Sequence, residues 1–190
     1  MAKEQPQGAP NLRLLRHVVL VGLMGAGKSS IGRRLAVHIA APFIDADTEI
    51  ERAARMSIPD IFASHGEAAF RDVERRVIAR LASTPEPMIL ATGGGAFMND
   101  DTRMLLLKNS TTIWLKAELA VLVDRVGKRG GRPLLEGRDL SETLRNLIEI
   151  RHPIYAQAEL TVTSRNEPHE IAVNEIITTL RARHELEPTP

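Results

Sequence analysis

Cysteine is absent from the 190 residues, so disulfides and thiolate metal sites are both excluded, and a reducing cytoplasm is compatible. Charge of one sign is not in excess. The 25 basic and 24 acidic residues leave a net charge of +1, which provides no global basic field for nucleic acid. No run of about 18 apolar residues exists, so no membrane-spanning helix is expected. Residues 1–10 contain Lys3, Glu4, Gln5 and Pro6 and lack the apolar centre of a signal peptide. Neither His17 nor His65 has a partner at metal-ligand spacing. Internal repeats and inter-domain linkers are also missing. One domain over residues 16–184 is expected, with tails at 1–15 and 185–190 and a cytoplasmic location.

What is present is an alternation of apolar strands and helical stretches, the pattern of an α/β fold with a parallel sheet. His17-Val18-Val19-Leu20-Val21, Pro42-Phe43-Ile44, Met88-Ile89-Leu90-Ala91, Thr112-Ile113-Trp114-Leu115 and Leu160-Thr161-Val162-Thr163 read as five strands. Ile31, Leu35 and Ile39 mark the helix after the first. A broken helical region over 50–64 is interrupted at Ser57-Ile58-Pro59, and a better helix runs from Glu67 to Leu81. Helices are also expected at 118–126, at 140–150 with a break near Pro153, and around Val173–Leu180. The expected architecture is three-layered, with a central five-stranded parallel sheet and helices on both faces.

Ligands of such sheets gather at the carboxyl ends of the strands, so the residues just beyond each strand carry the functional reading. After the first strand stands Gly22-Leu23-Met24-Gly25-Ala26-Gly27-Lys28-Ser29, a complete G-x-x-x-x-G-K-[ST] phosphate loop in the strand–loop–helix context that the motif requires. Amides of Gly25, Ala26, Gly27, Lys28, Ser29 and Ser30 are expected to form an anion nest at a helix N-terminus. Lys28 is expected to reach the β- and γ-phosphates of a nucleotide, and the Ser29 hydroxyl to bind Mg²⁺.

After the second strand come Asp45 and Asp47. If extended, the segment points both carboxylates to one side, where one could organise Mg²⁺ hydration and the other accept a hydroxyl proton; an Asp-rich turn and helix cap is the plainer alternative. After the third strand come Thr92-Gly93-Gly94-Gly95, where many nucleotide hydrolases carry an Asp for the metal. Its absence shifts metal duty to Ser29 and Asp45, while three glycines permit close backbone approach to a ligand. Most arginines are merely solvated, and helical periodicity does not single out Arg71; Arg151 is better marked, two residues before the helix-breaking Pro153. His152 reads as structural or exposed. Arg125 and the segment around Asn166 are candidate base contacts.

With these pieces in order, the chain resembles the shikimate kinase family, within the nucleoside-monophosphate-kinase-like phosphate-loop proteins. The resemblance rests on the phosphate loop, Phe43-Ile-Asp-Ala-Asp47, Gly66-Glu-Ala-Ala-Phe-Arg-Asp-Val-Glu74, Ala91-Thr-Gly-Gly-Gly95, Arg132-Pro-Leu-Leu135 and Arg151-His-Pro-Ile-Tyr155, and covers nearly the whole chain outside its ends. It implies transfer of the ATP γ-phosphoryl group to the 3-hydroxyl of shikimate, on the route to chorismate and the aromatic amino acids. It further implies that Asp47 binds the substrate hydroxyls and can serve as base, and that Arg71, Arg151 and the Gly93, Gly94 and Gly95 backbone hold the substrate. Asp45 joins Ser29 at Mg²⁺. Arg132 belongs to a lid over about residues 127–138 that closes on ATP and assists catalysis beside Lys28; a solvated basic loop is the alternative. Partners other than the small substrate are not expected, neither nucleic acid nor membrane, and nothing demands more than a monomer. Two rivals share the loop: another small-metabolite kinase such as gluconate kinase, and a nucleotide-binding switch without an acceptor.

Overall fold

A computed structural model describes residues 12–128 and 139–188. The valine-rich run His17–Val21 forms strand β2, buried along its whole length at the centre of a five-stranded sheet. Its neighbours are β4 (Ile89–Ala91) and β5 (Ser110–Lys116), flanked in turn by β3 (Phe43–Asp45) and β6 (Leu160–Thr163), giving the order β3-β4-β2-β5-β6. Every pairing in this sheet is parallel. Both faces are covered, as such strands require. Helix α1 (Lys28–His38) packs with α7 (His169–Ala182), and α3 (Ile58–Ala82) packs with α4 (Asp100–Asn109). The five expected strands and the three-layer arrangement are thus borne out.

The register sets the site. Leu20 pairs with Ala91, and Ala91 with Asp45, so β2, β4 and β3 end nearly level. Their next residues, which open the phosphate loop, the glycine run and helix α2 (Ala46–Ala54), therefore emerge along one edge.

Several local expectations are corrected. The 45–47 segment is not extended. Asp45 caps α2 by accepting the Asp47 amide at 3.1 Å, and Asp47 lies in the first helical turn, where a carboxylate favours the positive end of the helix. Helix α6 (Leu140–Tyr155) runs through Pro153 instead of stopping before it. The proline falls in its last turn, so the bond it removes affects only the end of the helix, and burial of Tyr155 holds the final residues. Helix α4 has a weak sequence signature, because only Thr102 and Leu106 of its ten residues are buried.

The chain ends are not wholly free either. Strand β1 (Leu12–Leu14) pairs antiparallel with β7 (Leu186–Pro188), and the Leu15 amide donates to the Glu185 carbonyl. Leu12, Leu14 and Leu186 are buried, whereas Arg13 and Glu187 face out; this period-two pattern in so few residues gives little signal. Between them, α5 (Leu119–Gly127) packs against α6. No described helix is long and apolar enough to cross a membrane. Most of the expected lid, including Arg132, lies outside the described residues.

Candidate active site

Gly27 ends the phosphate loop at φ 95°, a left-handed conformation open to glycine, and from there α1 begins at Lys28. The Lys28 ammonium folds back over the loop, donating to the carbonyls of Gly22 at 2.7 Å and Leu23 at 2.9 Å. It therefore sits above the nest whose amides open α1. The adjacent Ser29 hydroxyl donates to Asp45 Oδ2 at 2.6 Å, while Asp45 Oδ1 is engaged in the α2 cap.

Helix α3 supplies the opposite wall. Its backbone breaks at Gly66 (φ 78°, ψ 174°), separating an outer half that bears Phe62 from an inner half that bears Phe70, Arg71 and Glu74. Phe62 and Phe70 meet across the break, with ring centroids 4.8 Å apart. Arg71 donates to Glu74 at 2.7 Å and to Glu67 at 3.0 Å. Burial works to lower the Arg71 pKa, but the two carboxylates outweigh it and hold the guanidinium charged. Glu74 is pushed up by burial, and Arg71 only partly opposes this. Among the described residues, its Oε1 atom is buried without a hydrogen-bond partner.

The glycine run forms the floor, because these side chains occupy the places where its β-carbons would be. A β-carbon on Gly95 would lie 2.5 Å from Arg71 Nη1; one on Gly93 would lie 2.7 Å from Glu74 Oε1 and 3.1 Å from Asp47 Oδ1. Gly94 abuts the phosphate loop, where its β-carbon would be 3.5 Å from the Met24 amide nitrogen. Its carbonyl accepts Arg151 Nη1 at 3.1 Å and the Tyr155 hydroxyl, both from α6. Thr92, in the place of the missing aspartate, is buried and donates its hydroxyl to the Leu20 carbonyl at 3.1 Å.

These walls enclose one cleft of about 900 Å³, lined at one end by Lys28, Ser29 and Ser30 and at the other by Asp47, Arg71, Glu74 and Arg151. Asp45 and all three glycines line it as well. Arg125, Asn166 and His169 border the phosphate-loop end; Arg125 donates to Ser164 Oγ at 2.9 Å and to the Gly25 carbonyl at 3.3 Å. His152 instead rests edge-on against Trp114 at 4.9 Å, and its pKa is lowered by burial and by Lys116. His17 bridges backbone groups: Nδ1 accepts the Met88 amide at 3.2 Å, so Nε2 is left to donate to the Thr84 carbonyl at 3.0 Å.

Ser29 and Asp45 place a hydroxyl and a carboxylate oxygen side by side at the phosphate-loop end of the cleft, a donor set compatible with Mg²⁺. Such a sparse set suits a cation that keeps several waters and takes phosphate oxygens.

Two site residues were given no role by the sequence. Glu74 shares a helix face with Arg71, three residues earlier, and an acid four residues after Phe70 and three before Val77 was the available signal of its burial. Tyr155 stood in a recognised motif without a role of its own.

A phosphate loop facing a second half-cleft that bears two arginines and Asp47 across a glycine floor defines a phosphate-loop phosphotransferase. The shikimate kinase family model matches residues 24–181. A shikimate kinase of Bradyrhizobium diazoefficiens is 53% identical over 88% of this chain and 80% of its own length, and one of Caulobacter vibrioides is 53% identical over 88% and 83%. The solved structure of shikimate kinase from Acinetobacter baumannii in complex with shikimate superposes with a TM-score of 0.85 at 34% identity, covering 89% of this chain and 94% of that one. The chain belongs to the shikimate kinase family.

Proposed function

We propose that this enzyme transfers the γ-phosphoryl group of ATP to the 3-hydroxyl of shikimate, giving shikimate 3-phosphate and ADP. The observation that carries this reading is the single cleft in which the Lys28 loop faces Asp47, Arg71 and Arg151. Shikimate is a hydroxylated ring with one carboxylate. Arg71 and Arg151, with the glycine backbone between them, supply the planar and amide donors a carboxylate takes, and Asp47 accepts from a ring hydroxyl. Both halves come from one chain, which fits action as a monomer.

The roles follow from charge. The loop amides of Gly25–Ser30 cradle the phosphates, and Lys28 leaves its two carbonyl partners for the β- and γ-phosphates when they arrive. Ser29 and Asp45 would hold Mg²⁺, which would neutralise phosphate charge there. Asp47 orients the attacking hydroxyl; because the transition state of phosphoryl transfer is loose, placement matters more than basicity. Arg132, from the lid segment, would complete the screen of the transferring group and help exclude water.

The test is a coupled assay of ADP release with and without shikimate, with gluconate as the competing acceptor. Shikimate-dependent ADP release is expected, with little in its absence. Equal release with and without acceptor would point to a nucleotide-binding switch, and stimulation by gluconate alone would replace the acceptor.

A further inference from the structure

Tyr155 is fully buried, yet its hydroxyl ends at the floor of the cleft. Its ring is fixed by two aromatic neighbours, Trp114 at 6.1 Å and Phe97 at 6.4 Å between centroids, both nearly parallel to it. Burial pushes the phenol up to about 12, against the opposing charge of Arg151, so the hydroxyl remains a donor across the neutral range. Its acceptor is the Gly94 carbonyl, which also receives Arg151 Nη1.

A trans peptide is planar, so the carbonyl of one residue and the N–H of the next point in opposite directions. Two donors draw the Gly94 carbonyl towards α6. The Gly95 N–H must therefore face away from α6, and Gly95 lines the cleft. Among the described residues this N–H donates to no protein group. It is also next to a cation, since the Arg71 guanidinium lies where a Gly95 β-carbon would be. Glycine peptides are easily reoriented because no β-carbon restricts them, so this amide needs an external lock.

We propose that Tyr155 is a positioning residue for the carboxylate of the acceptor: by holding the Gly94 carbonyl, it locks the Gly94–Gly95 peptide with the Gly95 N–H presented beside Arg71. This deepens the proposed function and rests on an acceptor that bears a carboxylate. Tyr155 touches neither substrate; it acts through one peptide plane.

Tyr155→Phe removes the hydroxyl and keeps the ring. Its KM for shikimate is expected to rise about tenfold, the scale of one lost hydrogen bond to a charged partner's scaffold, while kcat and the KM for ATP stay within about twofold. With a shikimate analogue whose carboxylate is replaced by a hydroxymethyl group, wild type and Tyr155→Phe should be equal. A second measurement needs no variant: in ¹⁵N-labelled wild type, the Gly95 amide resonance should move on adding shikimate, and much less with the analogue. An unchanged shikimate KM in folded Tyr155→Phe, an equal penalty on the analogue or on ATP, or a Gly95 resonance indifferent to the carboxylate would each overturn the proposal. Wild type that fails to turn over shikimate overturns the proposed function with it; a normal wild type and an unaffected variant overturn this inference alone.

Discussion

Glu74 is an acid placed where α3 otherwise buries apolar side chains, and the fold bears a pH-dependent cost for it. Burial raises its carboxyl above the ordinary 4.5, and the Arg71 contact at 2.7 Å recovers only part of the difference. A carboxyl whose folded pKa is raised binds more protons in the folded than in the unfolded state, so stability falls as pH rises from about 4.5 through the raised value, and the full penalty applies above it. Glu74→Gln abolishes that titration. In thermal unfolding the melting temperature of the variant minus that of wild type should become more positive as pH rises from about 4.5, and should level off once Glu74 is fully ionised. The same variant should bind the acceptor less well, because Arg71 loses its buried anionic partner. A gap in melting temperature that is flat or narrows throughout that rise in pH would contradict the assignment. The group thus trades stability for a fixed guanidinium, a common bargain at functional sites.

Among the elements, α3 shows what a sequence pattern conveys and what it conceals. The Glu67–Leu81 helix was legible because Phe70, Val77 and Leu81 recur at helical spacing, and the phosphate loop because its residue types and its backbone shape are dictated by the same physics. The break at Gly66 was not, since a glycine between two helical stretches can end a helix, kink it or do nothing. For the same reason the capped turn at Asp45 was open between a strand end and a helix start, and only the bond from the Asp47 amide decides it. Tyr155 was hidden differently, because it acts on a segment 61 residues away in sequence. At Gly66 a prediction follows from the backbone alone. A β-carbon there meets nothing within 4 Å, so Gly66→Ala introduces no clash, but φ 78° and ψ 174° is a region almost confined to glycine. The two halves of α3 are also braced from α2, through Glu51 to the Ile58 amide at 3.0 Å and Glu49 to Arg80 at 2.9 Å, which resists straightening. Gly66→Ala should therefore cost about 1–3 kcal/mol in urea unfolding. It should also raise the KM for the acceptor while sparing that for ATP, since Phe62 and Phe70 line the acceptor end. Undiminished stability would show that the alanine is accommodated and that the break carries no strain.

At the scale of the whole molecule, the two edges of the sheet are built on opposite terms. The carboxyl edge turns the phosphate-loop, glycine-run and arginine groups into the cleft. The amino edge satisfies its polar side chains internally among the described residues, although Ser110, Thr111 and Thr112 of strand β5 are wholly buried. Ser110 donates to the Leu106 carbonyl, Thr111 donates to Glu185, and Thr112 accepts the Glu159 amide at 3.0 Å. Arg183 then joins Glu185 at 2.7 Å to Glu159 at 2.6 Å, and Arg16 reaches the carbonyls of Leu107 and Lys108. This network ties the β1–β7 ribbon to the base of the sheet, with Glu185 at the junction. Glu185→Ala leaves the Thr111 hydroxyl buried without its acceptor and removes a partner from Arg183. The expected loss is about 1–3 kcal/mol in urea unfolding, the penalty for stranding a buried polar group. Because the network lies at the end of the strands opposite the cleft, kcat and both KM values should stay within about twofold of wild type at temperatures where the variant is folded. A variant that kept its stability and lost turnover would show instead that the ribbon is coupled to the site through the sheet, and the separation of a stabilising edge from a catalytic edge would fail.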